Sequence, residues 1–347
     1  MKLVCKYIAL GLGLFLIIFV LRYAVINSGI LDTIDVVSNE ECRSILIAPG
    51  TEDIVIDSQS GTLYVSAYNR RAVDAKDGIY AFSPDKPEQV RLVSVDAPAD
   101  FHPHGISFWS DGINKKLFVV SHRSDGSEVV EIFNVAENGD LEHGKTVKFA
   151  AMHSPNDVQA VTEDTFYVTN DSGGNDSVTY KILSYLGLSL SSVAFYDGEE
   201  GRIVADDLSY ANGINMSADG RHVYVAESLP RSLRVYSRNT RTNKLERVKD
   251  IALNSSPDNI DVDEEGHLWI GGHPNVFKYL AYKKDPEKLA PSHVLKVEAE
   301  TGDITDIYFD DGHIYRASTA AVAYGDNFFV GSVYEDHILM CSLPAAH

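Results

Sequence analysis

The stretch EDIVIDSQSGTLYVSAY, residues 52–68, opens on two carboxylates, continues through the short β run Ile54-Val55-Ile56, turns at Ser60-Gly61 and runs out through a second β-rich segment. A polar opening and two short β-rich runs joined by a Gly- or Asp-bearing turn are the pattern of a β-hairpin. The pattern returns five times: HGISFWSDGINKKLFVVSH from His104, NDVQAVTEDTFYVTND from Asn156, NGINMSADGRHVYVAES from Asn212, DNIDVDEEGHLWIGGH from Asp258 and STAAVAYGDNFFVGSVY from Ser318. Successive copies start 46 to 60 residues apart, the period of propeller blades carrying insertions. Further short β runs lie between them, such as 78–82, 129–133 and 233–236, so each repeat holds two hairpins. The expected fold is an all-β, six-bladed β-propeller with four-stranded blades.

Outside the repeats, helical patterning is confined to the apolar N-terminus and to 180–193, where Tyr180, Leu183, Tyr185, Leu186 and Leu190 share one face. Lys2 and Lys6 precede the apolar run 7–21, which Arg22 interrupts and residues 23–26 extend, and no small-x-small cleavage site follows. Residues 1–27 are therefore expected to be a retained hydrophobic helix acting as a signal anchor, with a cleaved signal peptide as the alternative. Residues 28–347 would form the propeller on the luminal or extracellular side. Either course enters the secretory pathway, membrane-anchored or secreted, and makes a membrane or lipid surface one expected partner. Of the three cysteines, Cys5 falls in the anchor, while Cys42 and Cys341 lie near the two ends of the folded part. An oxidising lumen would let that pair join, two free thiols being the alternative.

A net charge of −20 on 347 residues excludes nucleic acid as a partner and supplies the carboxylates that hard cations need. Their placement carries the information. In a propeller the innermost strand of each blade lines the central channel, so residues opening equivalent strands converge on one axis. Here those openings are Glu52-Asp53, Asn156-Asp157, Asn212 and Asp258-Asn259, all oxygen donors of the kind Ca²⁺ selects. No His or Cys cluster with zinc spacing competes with them. Because successive side chains of an extended strand face opposite sides, one member of each pair could serve one ion and its neighbour another. The second repeat adds His104 at its start and His122 at its end, an imidazole pair suited to taking a proton from water.

In this order, the strings EDI, HPHGIS, VVSH, PNDV, YANGINMSADG, SPDNIDVD, LWIGGHPN and the segment around Cys341 resemble the paraoxonase/arylesterase family from about residue 42 to 341. The resemblance implies a six-bladed propeller with two calcium ions in its tunnel, a Cys42–Cys341 disulfide and a retained hydrophobic N-terminus. It implies a catalytic ion held by Glu52, Asn156, Asn212, Asp258 and Asn259. A structural ion would be held by Asp53, Asp157 and the carbonyl of Ile106. His104 and His122 match the family's histidine dyad. Gly272 stands where many animal members carry a free cysteine, and the loop 68–71 departs from the animal pattern. Tyr210, His273 and Thr319 are expected to line the substrate pocket. Asn170, Asn175 and Asn254 begin N-x-Ser sequons and are candidate glycosylation sites, with Asn215 a poor acceptor in a channel strand.

The expected function is calcium-dependent hydrolysis of small lactones and aryl esters, the metal polarising the carbonyl and the dyad activating water. No G-x-S-x-G elbow supports a serine nucleophile. The alternatives are a gluconolactonase or strictosidine-synthase type of propeller, and a non-catalytic propeller in which calcium only stabilises a binding surface.

Overall fold

The computed structural model describes residues 25–34, 42–72, 76–174 and 188–343, with six isolated positions before residue 24. Its first strand, β1 (Arg43–Leu46), precedes the blades. Blade one is β2 (Thr51–Asp57), β3 (Thr62–Ala67), β4 (Gly78–Ser83) and β5 (Lys86–Leu92). Blade two is β6 (Pro103–Ser110), β7 (Lys115–His122), β8 (Glu128–Val135) and β9 (Leu141–Val147). Blade three is β10 (Pro155–Ala160), β11 (Phe166–Asn170), β12 (Ser191–Tyr196) and β13 (Gly201–Leu208). Blade four is β14 (Ala211–Met216), β15 (His222–Glu227), β16 (Ser232–Arg238) and β17 (Leu245–Ala252). Blade five is β18 (Ser256–Val262), β19 (Leu268–His273), β20 (Ser292–Val297) and β21 (Ile304–Asp310), with the helix α1 (Val276–Lys284) between its second and third strands. Blade six is β22 (Ser318–Tyr324), β23 (Asn327–Ser332) and β24 (His337–Ser342), completed by β1, so the sheet order β1-β24-β23-β22 closes the ring with the chain's first strand.

The six quoted repeats are the innermost hairpins of the six blades. Their continuous apolar runs, such as Leu63-Tyr64-Val65, are buried on both faces between neighbouring sheets, and the core divides into layers between blades. Phe118, Val120, Val158 and Val168 join blades two and three, while Leu233, Val235, Ile260 and Ile270 join four and five. The ring leaves each blade one short outer edge strand toward solvent, such as β5 and β9. A disulfide between Cys42 and Cys341, 299 residues apart in sequence, fastens the closing blade.

Two expectations change. Ser191, Ser192 and Val193 belong to β12, not to a helix, because their side chains fill the layer behind β11 (Val193 opposite Thr169, Ala194 opposite Val168); residues 180–187 lie outside the described residues. α1 is a helix the hairpin pattern hides: Asn275 caps it by accepting from the Lys278 amide at 3.0 Å, and Lys283 and Lys284 sit at its carboxyl end.

Among the described residues no helix is long and apolar enough to cross a membrane, and most of the stretch 7–26, expected to be a hydrophobic helix, lies outside them. The described strap that follows docks on the propeller. The Val276 amide donates to the Ser28 carbonyl at 2.9 Å, and Arg231 pairs with Asp32 at 2.5 Å and with the Ile26 carbonyl at 3.3 Å.

Candidate active site

All six innermost strands break register at the same place, one or two residues after they begin: between Thr51 and Asp53, Pro103 and Ile106, Pro155 and Val158, Ala211 and Ile214, Pro257 and Ile260, and Ser318 and Ala320. The residues released from the ladder are Glu52, His104-Gly105, Asn156-Asp157, Asn212-Gly213, Asp258-Asn259 and Thr319. A β-bulge leaves its extra residue unpaired and re-aims its side chain. Six aligned bulges therefore turn a ring of strand starts into a ring of inward-facing polar groups. This is why adjacent residues contribute together, a point that simple strand alternation misses. Gly105 and Gly213 let the strands come this close: a Cβ on Gly105 would stand 2.3 Å from Asp157 Oδ1, and one on Gly213 would stand 2.4 Å from the Asp258 carbonyl.

Glu52, Asn156, Asn212, Asp258 and Asn259 are all buried. The Asn259 amide donates to Glu52 Oε1 at 3.0 Å, and Thr319 Oγ1 donates to the Glu52 carbonyl at 2.6 Å. Asn212 Nδ2 donates to Ser228 Oγ at 3.1 Å, and Asp258 Oδ2 lies 3.1 Å from His273 Nε2. Yet Glu52 Oε2, Asn156 Oδ1, Asn212 Oδ1 and Asn259 Oδ1 are buried without any hydrogen-bond partner. One such oxygen would cost about 1–3 kcal/mol, and four in one ring call for a common ligand. A hard, oxygen-seeking divalent cation of the Ca²⁺ kind fits this donor set: two carboxylates and three amide oxygens.

The second set lies deeper. Asp53 accepts from the amides of Ile54 and Ile106, both at 2.8 Å, and Asp157 from those of Val158 at 2.7 Å and Ile214 at 2.8 Å. Asp53, Ile106 and Asp157 border an axial cavity of about 110 Å³ that also meets Gln159, Asn215 and Asp261. Burial pushes the Asp53 carboxyl well above its usual range, reinforced by the charges of Asp157 and Glu52. Burial likewise raises Asp157 strongly and raises Asp258. For Glu52 burial acts in the same direction, but His104, Arg70 and the Asn259 amide outweigh it and hold the carboxyl at about 2. Four buried carboxylates around one axis are a cation's counter-charge. A different cluster, Asp263, Glu265 and His267, sits in the turn between β18 and β19, where Asp263 is already bonded to the amides of Glu265 and His267 and to the Trp269 indole.

Beside the upper ring, His104 Nδ1 lies 2.7 Å from His122 Nε2, and His104 Nε2 lies 3.5 Å from Glu52 Oε1. β7 ends at His122, so the two ends of one hairpin bring the imidazoles together. Burial lowers the His122 pKa and favours its neutral form. His273 stacks on Tyr279 of α1 with ring centroids 4.0 Å apart. Tyr210 holds a left-handed backbone (φ 56°) just before Asn212, tied by its amide to Ser191 Oγ at 2.8 Å. Thr319 is buried beneath Glu52. Arg70, in the departing loop 68–71, reaches the Tyr68 ring at 5.1 Å, and its charge acts on both Glu52 and His122.

Of the sequons, Asn170 is corrected. It is fully buried, its carbonyl accepting from the amides of His153 and Ser154 and its Nδ2 donating to the Ala151 carbonyl and Ser192 Oγ, which leaves that nitrogen no room for a glycan. Asn254 is half-buried and donates to Asp306 at 3.0 Å, and Asn175 lies outside the described residues.

A family model described as Arylesterase matches residues 31–343. Serum paraoxonase/arylesterase 1 of Homo sapiens is 32% identical over 318 residues, which cover 86% of this chain and 87% of that one. Among solved structures, a gluconolactonase from Xanthomonas campestris aligns with TM-score 0.58 at 16% identity over 87% of this chain and 89% of its own. Regucalcin from Agrobacterium tumefaciens, a calcium-binding protein, aligns with TM-score 0.52 at 14% identity over 88% and 94%. Both structures share the fold.

Proposed function

Because this chain belongs to the arylesterase family, we propose that it is a calcium-dependent hydrolase of lactones and aryl esters, with Glu52, Asn156, Asn212, Asp258 and Asn259 as the ligands of the catalytic ion. The observation that carries this reading is the ring of four partnerless buried oxygens beside an imidazole pair. A second, structural ion is assigned to Asp53, Asp157 and the Ile106 carbonyl. When bound, Ca²⁺ supplies positive charge that polarises a substrate carbonyl and stabilises the oxyanion.

The chain's own residues do the rest. His104 stands at the edge of the ring and takes a proton from the water that attacks the carbonyl carbon. When the carbon–oxygen bond to the leaving group breaks, the same proton passes to that oxygen. His122 supports His104 from behind. Asn259 and Thr319 hold Glu52 in place through its carboxylate and carbonyl, keeping the acceptor ring in register. His273, braced by Tyr279, orients Asp258. Tyr210 and Thr319 border the substrate space, and Arg70 adds positive charge above it.

The disulfide favours an oxidising, secretory location, and the apolar N-terminus is proposed to hold the protein at a membrane or lipid surface. The test of the function is hydrolysis of a δ-lactone and phenyl acetate by the full chain, with chelator and after calcium add-back. Activity lost with chelator and restored by calcium is the expected outcome. A folded, calcium-binding protein without turnover on either substrate class would overturn the reading.

A further inference from the structure

His122 carries a hydrogen bond that the reaction as described leaves unused. β7 ends on His122 and β8 begins on Glu128; the loop between them closes through Arg123 N donating to Ser127 O at 3.0 Å, with Gly126 at φ 79°. The antiparallel register sets His122 directly opposite Glu128, where side chains touch. The Glu128 carboxylate bonds His122 Nδ1. Other charges reach the pair without bonding it: Arg70 acts on His122, Asp171 acts on both imidazoles while accepting from Ser154 Oγ, and Arg123 pairs with Glu131.

An ionised carboxylate only accepts, so His122 Nδ1 carries the proton and its Nε2 is a bare acceptor in the neutral ring. His104 Nδ1, 2.7 Å away, must then be the donor, since two lone pairs cannot face each other at that distance. That leaves the lone pair of His104 on Nε2, the nitrogen facing the channel. Glu52 Oε1, 3.5 Å from that atom, is the weaker of the two contacts beside the His122 bond at 2.7 Å.

We infer that Glu128 is a positioning residue which, through the contact chain Glu128–His122–His104, fixes the tautomers of both imidazoles and makes His104 Nε2 the basic atom of the site. This rests on His104 being the base of the proposed hydrolysis. As water's oxygen bonds the carbonyl carbon, its proton goes to His104 Nε2 and the carbonyl π pair moves onto oxygen. As that pair returns, the bond to the leaving oxygen breaks and the proton passes to it. Glu128 keeps no proton; it holds the Nδ1–H of His122 throughout, so that charge gained by His104 is shared with its neighbour. The residue lies partly exposed at the end of a hairpin, so its substitution is expected to leave the fold intact.

The test compares Glu128→Gln and His104→Gln in the calcium-loaded full chain. Glutamine keeps the shape but offers a donor as well as an acceptor, so the tautomer is no longer imposed. The expected result is a kcat on phenyl acetate lower by about 10–100-fold with KM within about threefold. The ¹⁵N ring resonances of His122 should also shift away from the Nδ1–H pattern, at unchanged Tm. A kcat within twofold, or a fall in kcat that follows Tm with the ring signature unchanged, overturns the proposal while an inactive His104→Gln leaves the hydrolase reading standing. A fully active His104→Gln overturns the proposal together with the assignment of His104 as base, while hydrolysis itself stands.

Discussion

The two levels of the channel use the same residue types differently. At the upper ring, Glu52, Asn156, Asn212 and Asn259 each keep one buried oxygen with no partner. At the lower level, Asp53 and Asp157 place all four carboxylate oxygens on backbone amides of their own and the neighbouring blade. The lower pair is therefore part of the frame: Asp53 ties blade one to blade two, and Asp157 ties blade three to blade four. The upper ring is held by the frame but contributes little to it. Side chains that hold strands together and side chains kept free for a ligand can stand one residue apart because the bulge re-aims them: Glu52 leaves the ladder beside a still-paired Asp53, and Asn156 and Asp157 leave it together.

The sharpest way to break this distinction is Asp157→Ala. It leaves the amides of Val158 and Ile214 buried without acceptors, each costing about 1–3 kcal/mol, so a loss of about 2–6 kcal/mol is expected in calcium. Chemical denaturation of the calcium-loaded protein measures it. A loss below about 1 kcal/mol would show that the lower pair is no more structural than the upper ring.

Next comes the ring closure, far from either level. Replacing Cys42 and Cys341 by serine removes a link spanning 299 residues and is expected to cost about 2–5 kcal/mol. Because closure supports both levels equally, calcium-free and calcium-loaded stabilities should fall together. A fall confined to one state would tie the disulfide to that level.

The repeats are legible because the inner hairpins carry their own turn chemistry, Ser60-Gly61, Asp111-Gly112 and Asp219-Gly220 among them, and β-branched or aromatic runs such as Leu63-Tyr64-Val65 and Phe166-Tyr167-Val168. The convergence of Glu52, Asn156, Asn212 and Asp258 followed once the repeats were aligned. What alignment could not show is the shared bulge, since register is a property of the pair of strands and not of either one. Glu128 stayed hidden for the same reason. It lies six residues from His122 with a charged, Gly-bearing loop between them, and only the β7–β8 pairing sets them side by side. The apolar spacing of 180–193 suits a helix, but at its carboxyl end Ser191–Val193 are drawn into blade three by the layer they fill. The contacts of Arg231 with the strap depend on a loop-to-loop approach with no local signature.

A smaller effect is expected from Thr319→Val, which deletes one buried hydrogen bond to the Glu52 carbonyl. About 1 kcal/mol of stability should be lost, read by thermal denaturation. Calcium affinity should fall with it, because Glu52 loses one of the two groups fixing it. Unchanged affinity would place the hold on Glu52 with Asn259 alone.

The smallest stability change belongs to Asn212→Ala, and it separates the two levels most cleanly. In the calcium-free protein this side chain contributes one bond, from Nδ2 to Ser228 Oγ, while Oδ1 sits buried and unpaired. Ser228 retains its own bond to the Pro257 carbonyl at 2.7 Å, so the substitution strands nothing and also removes an unsatisfied acceptor. The calcium-free Tm should therefore move by less than about 2 °C. The rise in Tm on adding calcium should shrink, because a ligand that binds only the folded state stabilises in proportion to the logarithm of its concentration over Kd. Ester hydrolysis at fixed calcium should fall at least ~100-fold with the lost ligand. If the calcium-free Tm instead dropped as far as in Asp157→Ala, Asn212 would belong to the frame, and the orphaned oxygens of the upper ring would have to be explained without a cation.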